Sequence, residues 1–99
     1  MEFLYTLRVT RLEMLSDGPT PDEEAATARH FKFLKGLNEK GTVLLAGRTQ
    51  NTDESSFGIV ILDVDSEDAA RAIQEADPAI TSGIMRSELF PYRVALMPK

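Results

Sequence analysis

The sequence predicts an α+β fold in which two helices interrupt four strands, in the order β-α-β-β-α-β. Three observations carry this prediction. Helix-start chemistry occurs twice, at Thr20 to Glu23 and at Ser66 to Asp68, and each occurrence is flanked by segments in which apolar residues recur with the period of a strand. The two middle apolar segments are joined by a short polar run, as the arms of a hairpin are. A chain of 99 residues, 42% apolar and 27% charged, suits one globular domain over residues 1–99 with a single core.

Glu2 to Thr10 alternates Phe3, Tyr5, Leu7 and Val9 with Leu4, Thr6 and Arg8, which predicts the first strand. A connection through Asp17, Gly18 and Pro19 leads to Thr20-Pro21-Asp22-Glu23. That tetrapeptide is a capping box with proline at the first helical position and acids in the first turn. The helix it opens is predicted to run to about Lys40, with Gly41 as its stop. Thr42 to Gln50 and Phe57 to Asp65 read as the second and third strands, a hairpin closed by Asn51 to Ser56. Ser66 then caps a second helix, packed through Ala69, Ala70, Ile73 and Ala76 and closed by Pro78. The last strand is placed at Arg86 to Met97, with Pro91 marking an edge or a bulge. This order is the split βαβ pattern of ferredoxin-like folds: a four-stranded antiparallel sheet with two helices on one face.

The third strand is apolar on both sides, Phe57, Ile59 and Ile61 alternating with Gly58, Val60, Leu62 and Val64. Two helices cover only one face of such a sheet. The other face calls for a second sheet, most simply that of a twofold-related copy, so a homodimer is expected.

The net charge of −5 and a pI near 4.8 repel phosphate backbones and anionic lipid, so neither nucleic acid nor membrane is an expected partner. An RNA-recognition motif shares the element order, and Phe57-Gly58 faintly echoes its central strand. However, Ser56 stands where a basic residue is required and the later aromatic positions are aliphatic. The absence of cysteine excludes disulfides, thiolate metal sites, iron–sulfur clusters and a cysteine nucleophile. A single histidine leaves no recognisable metal-ligand spacing, and no phosphate-binding glycine loop is present, so no metal and no cofactor are expected. The N-terminal residues lack a basic start and a continuous apolar core, and no apolar run is long enough to span a bilayer. Cytoplasmic residence is the default expectation.

His30 is the residue most suggestive of chemistry. On a helix it shares a face with Ala26, Phe33, Leu34 and Leu37, while Arg29, Lys32 and Lys35 point elsewhere. Buried among them, the imidazole needs a hydrogen-bond partner, and a satisfied core histidine is the bland alternative to a functional one. Asp77 ends the second helix on the side of Ala70 and Ile73, where the helix dipole disfavours negative charge. With Pro78 it also fits an N-cap of a short turn that Gly83 would end, a purely structural role. Glu23, two turns before His30 on its face, is a rival acid that the capping box already explains. An aspartate touching His30 would fix the imidazole tautomer and make a general acid or base near neutral pH. Arg48 follows Ala46-Gly47 and could orient an anionic substrate, or be an exposed strand-end arginine. Tyr5 and Tyr92 could place hydroxyls in a cavity, although core or dimer packing is the simpler use of both.

These residues line up with a known family. His30-Phe31-Lys32-Phe33-Leu34-Lys35-Gly36-Leu37, then Gly41, then Leu44-Leu45-Ala46-Gly47, then Glu75-Ala76-Asp77-Pro78 with Gly83, resembles the YciI-like (YCII-related) pattern of a helix histidine, a strand "LLAG" and an "ADP" segment. The resemblance spans about residues 24–96. It implies a ferredoxin-like domain paired into a dimeric α/β barrel, with the family's active-site pair falling on His30 and Asp77. Most members resemble enzymes without established substrates. One relative eliminates chloride from a chlorinated hydroxyquinol, and related dimeric barrels include muconolactone isomerases. Arg48 stands where proline is common in the family, and the connection from first strand to first helix is long; both departures fall where the mouth of a pocket is expected, so no relative's substrate carries over to this chain. The expected function is that of a small cofactor-independent lyase or isomerase acting on a cyclic or aromatic small molecule, with His30 moving the proton, Asp77 orienting it and Arg48 binding substrate. The alternative is a non-catalytic dimeric module that binds a metabolite or regulates, in which His30 and Asp77 only satisfy one another.

Overall fold

In the computed structural model, which describes residues 1–98, strand β1 (Glu2–Val9) forms where the alternation predicts it. Burial follows the same period of two: Phe3, Tyr5 and Leu7 are buried, and the residues between them lie on the opposite face. The connection that follows is not an open loop throughout, since part of it folds into a single helical turn, α1 (Glu13–Ser16). Helix α2 (Pro21–Glu39) starts on the capping box as predicted. Thr20 Oγ1 accepts from Glu23 N at 3.2 Å, and the Glu23 carboxylate accepts from Thr20 N at 2.8 Å. Gly41, with φ of 81°, takes the left-handed conformation that turns the chain out of the helix.

Strands β2 (Val43–Arg48) and β3 (Gly58–Asp63) form the predicted hairpin, slightly shorter at each end. Helix α3 (Glu67–Ala76) is capped by Ser66, whose Oγ accepts from Ala69 N at 3.1 Å. Its packing differs in one detail from expectation. Ala76 is exposed, and the buried position is Gln74, whose Nε2 donates to Ser87 Oγ at 2.9 Å. Asp77 and Pro78 then open a one-turn helix, α4 (Pro78–Thr81), and Gly83 at φ 79° ends the turn.

The last strand is not continuous. It divides into β4 (Met85–Arg86), paired with Arg8 and Val9, and β5 (Leu89–Tyr92), paired with Glu2 to Tyr5. Between them Thr6 N donates to Glu88 O and Glu88 N to Thr6 Oγ1. No strand continues past Tyr92 among the described residues, because Tyr92 already pairs with Glu2, where β1 begins. The sheet therefore has five strands rather than four, in the order β2-β3-β1-β4 with β5 also on β1. The class is the predicted one, an antiparallel ferredoxin-like sheet, and Pro91 sits on the edge strand, where a missing N–H is tolerated.

The core lies between sheet and helices, with Phe3, Tyr5, Val43, Val60 and Leu62 meeting Leu34, Ala70 and Ala79. Val60 and Leu62 thus belong to the helix-covered side. Ile59 and Ile61 occupy the other face, along with exposed Leu45, Phe90 and Tyr92. A register shift between Val43 and Leu45 decides which residues of β2 face the helices. Val43 pairs with Leu62, but after the bulge it is Ala46 and Arg48 that pair with Val60 and Gly58. A shift of one residue exchanges the faces of a strand, so the bulge turns Arg48 to the helix side.

Outside the core, Arg11 Nε donates to Glu23 Oε2 at 2.9 Å, tying the long connection to the start of α2. The hydrogen bonds from Arg11 and from the Thr20 N–H bring the Glu23 carboxyl down to about 2, from an ordinary 4.5. Because its folded value is depressed, its contribution to stability is present above about pH 4.5 and is lost as pH falls toward about 2. In urea titrations at a series of pH values, the gap in stability between wild type and Glu23→Gln should be constant above pH 4.5 and narrow below it. A gap that stays constant to pH 2 would contradict this assignment.

Candidate functional site

Three elements meet at one carboxylate. Pro78 disfavours helical backbone in the residue before it, so Asp77 is extended (φ −63°, ψ 124°) and α3 stops there. The same residue caps α4, its Oδ1 accepting from Ala79 N at 2.9 Å. Asp77 is wholly buried, and capping uses only part of its acceptor capacity. The remainder goes to two side chains far away in sequence. Oδ1 lies 2.6 Å from His30 Nδ1, and Oδ2 accepts from the Tyr5 hydroxyl at 2.8 Å.

The capping role and the contact with His30 therefore coexist. An ionised Asp77 can only accept, so the short contact is Nδ1–H donating to Oδ1, and Nε2 is left as the free ring nitrogen. His30 is held by the α2 face bearing Ala26 and Leu34, both buried, and its own side chain remains 14% exposed. Glu23 is not part of this cluster; Arg11 and the capping box occupy it.

Tyr5 has a part in the cluster that strand periodicity does not reveal. Its ring packs in the core as expected, but the hydroxyl is the third donor to Asp77. Burial foremost, then the Asp77 charge and the hydrogen bond to it, hold the Tyr5 phenol far above its ordinary range, so it stays a protonated donor. The available signal is positional, since Tyr5 occupies the middle of an inward-facing strand where an unpaired hydroxyl would be costly. Tyr92 is half exposed on the open face of the sheet and takes no part.

His30 also borders a cavity of about 610 Å³ between α2 and the β2–β3 side of the sheet, within the range of small-molecule sites. Its floor is apolar, with Leu7, Val43 and Val60, and Leu34 closes it from α2. Gly58 contributes to the opening: a Cβ there would lie 3.2 Å from Gly47 O and within 4 Å of the Leu7 and Arg48 side chains. Arg48 is an exposed arginine at the end of β2, as its simpler reading had it, and through the bulge it also lines this cavity; Asp77 stands behind the imidazole. Lys35, exposed and off the buried stripe of α2 as expected, borders it too. Among the described residues, no three His, Cys, Asp or Glu side chains cluster as a metal site, and no helix is long and apolar enough to cross a membrane.

Residues 6–92 match the YCII-related domain. The chain belongs to this family. Among solved structures it is similar to the 5-chloro-2-hydroxyhydroquinone dehydrochlorinase of Burkholderia phenoliruptrix AC1100, in complex with 2,5-dihydroxybenzoquinone. The TM-score is 0.67 at 20% identity, over 94% of each chain, a likeness of fold. No curated protein sequence matches the chain. The YCII-related match covers every residue of the Tyr5–Asp77–His30 cluster except Tyr5, which lies one position before it.

Proposed function

We propose that this YCII-related protein is a small cofactor-independent enzyme of lyase or isomerase type, acting on a cyclic or aromatic small molecule. The observation that carries the reading is that one imidazole touches both a buried carboxylate and an accessible apolar cavity. A dry, closed histidine–aspartate pair would favour the non-catalytic binding module instead; an imidazole with Nδ1 engaged and a cavity beside it favours proton transfer at Nε2. In this reading His30 accepts a proton from the ring substrate, and Asp77 fixes the tautomer and stabilises the imidazolium. His30 then returns the proton elsewhere on the ring or to a departing group, while Arg48 holds an anionic group of the substrate. The dehydrochlorinase likeness supports the reading at the level of fold and of ring-shaped ligand. The test is a panel of halogenated hydroxyquinols and unsaturated ring lactones, followed by halide release and ultraviolet spectra in deuterated solvent. Turnover, or deuterium incorporation that depends on His30, is the expected result. Binding without either would leave the metabolite-binding module in its place.

The same reading includes a homodimer in the cytoplasm, formed through the sheet face that the helices leave open. Leu45, Ile59, Ile61, Phe90 and Tyr92 make that face apolar. Leu45 and Phe90 are 50% and 44% exposed in the single chain, so a charge at either costs the monomer little. Sedimentation equilibrium should give twice the 11.0 kDa chain mass for wild type and a folded 11.0 kDa species for Leu45→Glu with Phe90→Glu. A wild type at 11.0 kDa in the micromolar range would overturn the dimer.

A further inference from the structure

The walls of the cavity carry a charge pattern that the chain as a whole does not. The protein has 16 acidic and 11 basic side chains, yet among the described residues no aspartate or glutamate lines the cavity, while Lys35, Arg48 and His30 do. The nearest buried carboxylate, Asp77, stands behind the imidazole and is engaged by three donors. Neither Lys35 nor Arg48 has a carboxylate within ion-pair distance among the described residues, whereas Arg11 and Arg71 both do. Two exposed cations without ion-pair partners border a largely apolar cavity whose other polar side chains, Thr27, Asn38 and Ser56, are uncharged, and in an acidic protein they form a local positive potential.

Resting on the function proposed above, we propose that the ligand of this cavity is an organic anion: a ring whose apolar body lies on Leu7, Leu34 and Val60 and whose anionic oxygen, carboxylate or phenolate, lies between Lys35 and Arg48. Lys35 comes from α2 and Arg48 from β2, the two walls, so an anion there bridges them and holds the ring beside His30. Lys35 is then a second binding residue, one turn and a half beyond His30 on the same helix. The excess of acids elsewhere on the surface acts in the same direction as a filter. It repels anions from the rest of the molecule and leaves this cavity as the place where one is welcome.

The experiment compares benzoate with its neutral isostere benzamide, and phenolate-bearing 4-nitrophenol with nitrobenzene, by NMR titration of the full chain. Wild type should prefer each anion by about tenfold, which is about 1.4 kcal/mol. The preference should weaken as salt is raised and disappear in Lys35→Gln with Arg48→Gln. Loss of preference for benzoate alone, or for 4-nitrophenol alone, identifies which anionic oxygen the site takes. Equal binding of anion and neutral partner by wild type, a preference that survives in the double variant, or no millimolar binding of any probe would overturn the proposal. His30→Gln separates it from the acid–base reading. If that variant keeps the anion preference while no turnover is found for wild type, the ligand class stands and the catalysis falls. If turnover is found without anion preference, the reverse holds.

Discussion

Asp77→Ala should lower the free energy of unfolding by about 3 kcal/mol, a large share of what a domain of this size has. The size follows from what the carboxylate satisfies. Losing the α4 cap costs about 1 kcal/mol. The Tyr5 hydroxyl, fully buried, loses its acceptor and adds about 1 to 3 kcal/mol for an unpaired buried group. Asp77→Asn should cost less than half as much, because the three contacts can be kept. Ala79 N–H and His30 Nδ1–H both point at Oδ1, which fixes the amide oxygen there and turns the amide nitrogen to Tyr5, whose hydroxyl then accepts. Tyr5→Phe removes the orphan in advance, so the double variant Tyr5→Phe with Asp77→Ala should be more stable than the sum of the single losses implies. Urea denaturation of wild type and the four variants measures all of this. A cost for Asp77→Ala near zero, or strict additivity with Tyr5→Phe, would mean that the contacts are not energetically linked.

Much of this arrangement is legible in the amino-acid sequence, because its signals are local. The capping box at Thr20, the Ser66 cap, Gly41 and the Asp77-Pro78 step each act within one turn of chain, and each forms at the position its residues dictate. His30 and Asp77 stand out in the sequence as polar groups on apolar helix faces, and that same pattern brings them within 2.6 Å. What the sequence hides depends on distant register. The split of the last strand follows from where β1 starts and from the Thr6–Glu88 link. The faces of β2 depend on a bulge that leaves no mark in Leu44-Leu45-Ala46-Gly47. Without it Arg48 would point from the open face, so its chemistry suggests a place on the cavity wall while the alternation of the strand argues against one. Tyr5 is obscure for a similar reason: its ring follows the period of the strand, but the partner of its hydroxyl sits 72 residues away.

His30→Ala should reduce kcat of any reaction found in the cavity by roughly 10²- to 10⁴-fold, the usual worth of a positioned acid or base, while leaving the fold in place. In barrier height that is about 2.7 to 5.5 kcal/mol. Stability should suffer far less, since Asp77 keeps Tyr5 and Ala79 N as donors and the imidazole side chain borders a cavity rather than filling the core. Asp77→Asn provides the internal comparison. With the amide oxygen at the Oδ1 position, the Nδ1–H tautomer and the ring orientation are retained, but the negative charge that stabilises an imidazolium is gone. Its loss of kcat should therefore fall between wild type and His30→Ala, and nitrogen-15 NMR should find the proton of the neutral ring on Nδ1 in both Asp77 forms. A neutral ring protonated at Nε2 in wild type would contradict the geometry at its source. Turnover undiminished in a folded His30→Ala would leave the contact with Asp77 as structural support for the junction of α2, α3 and α4, and the chemistry would have to be sought at other groups on the cavity wall.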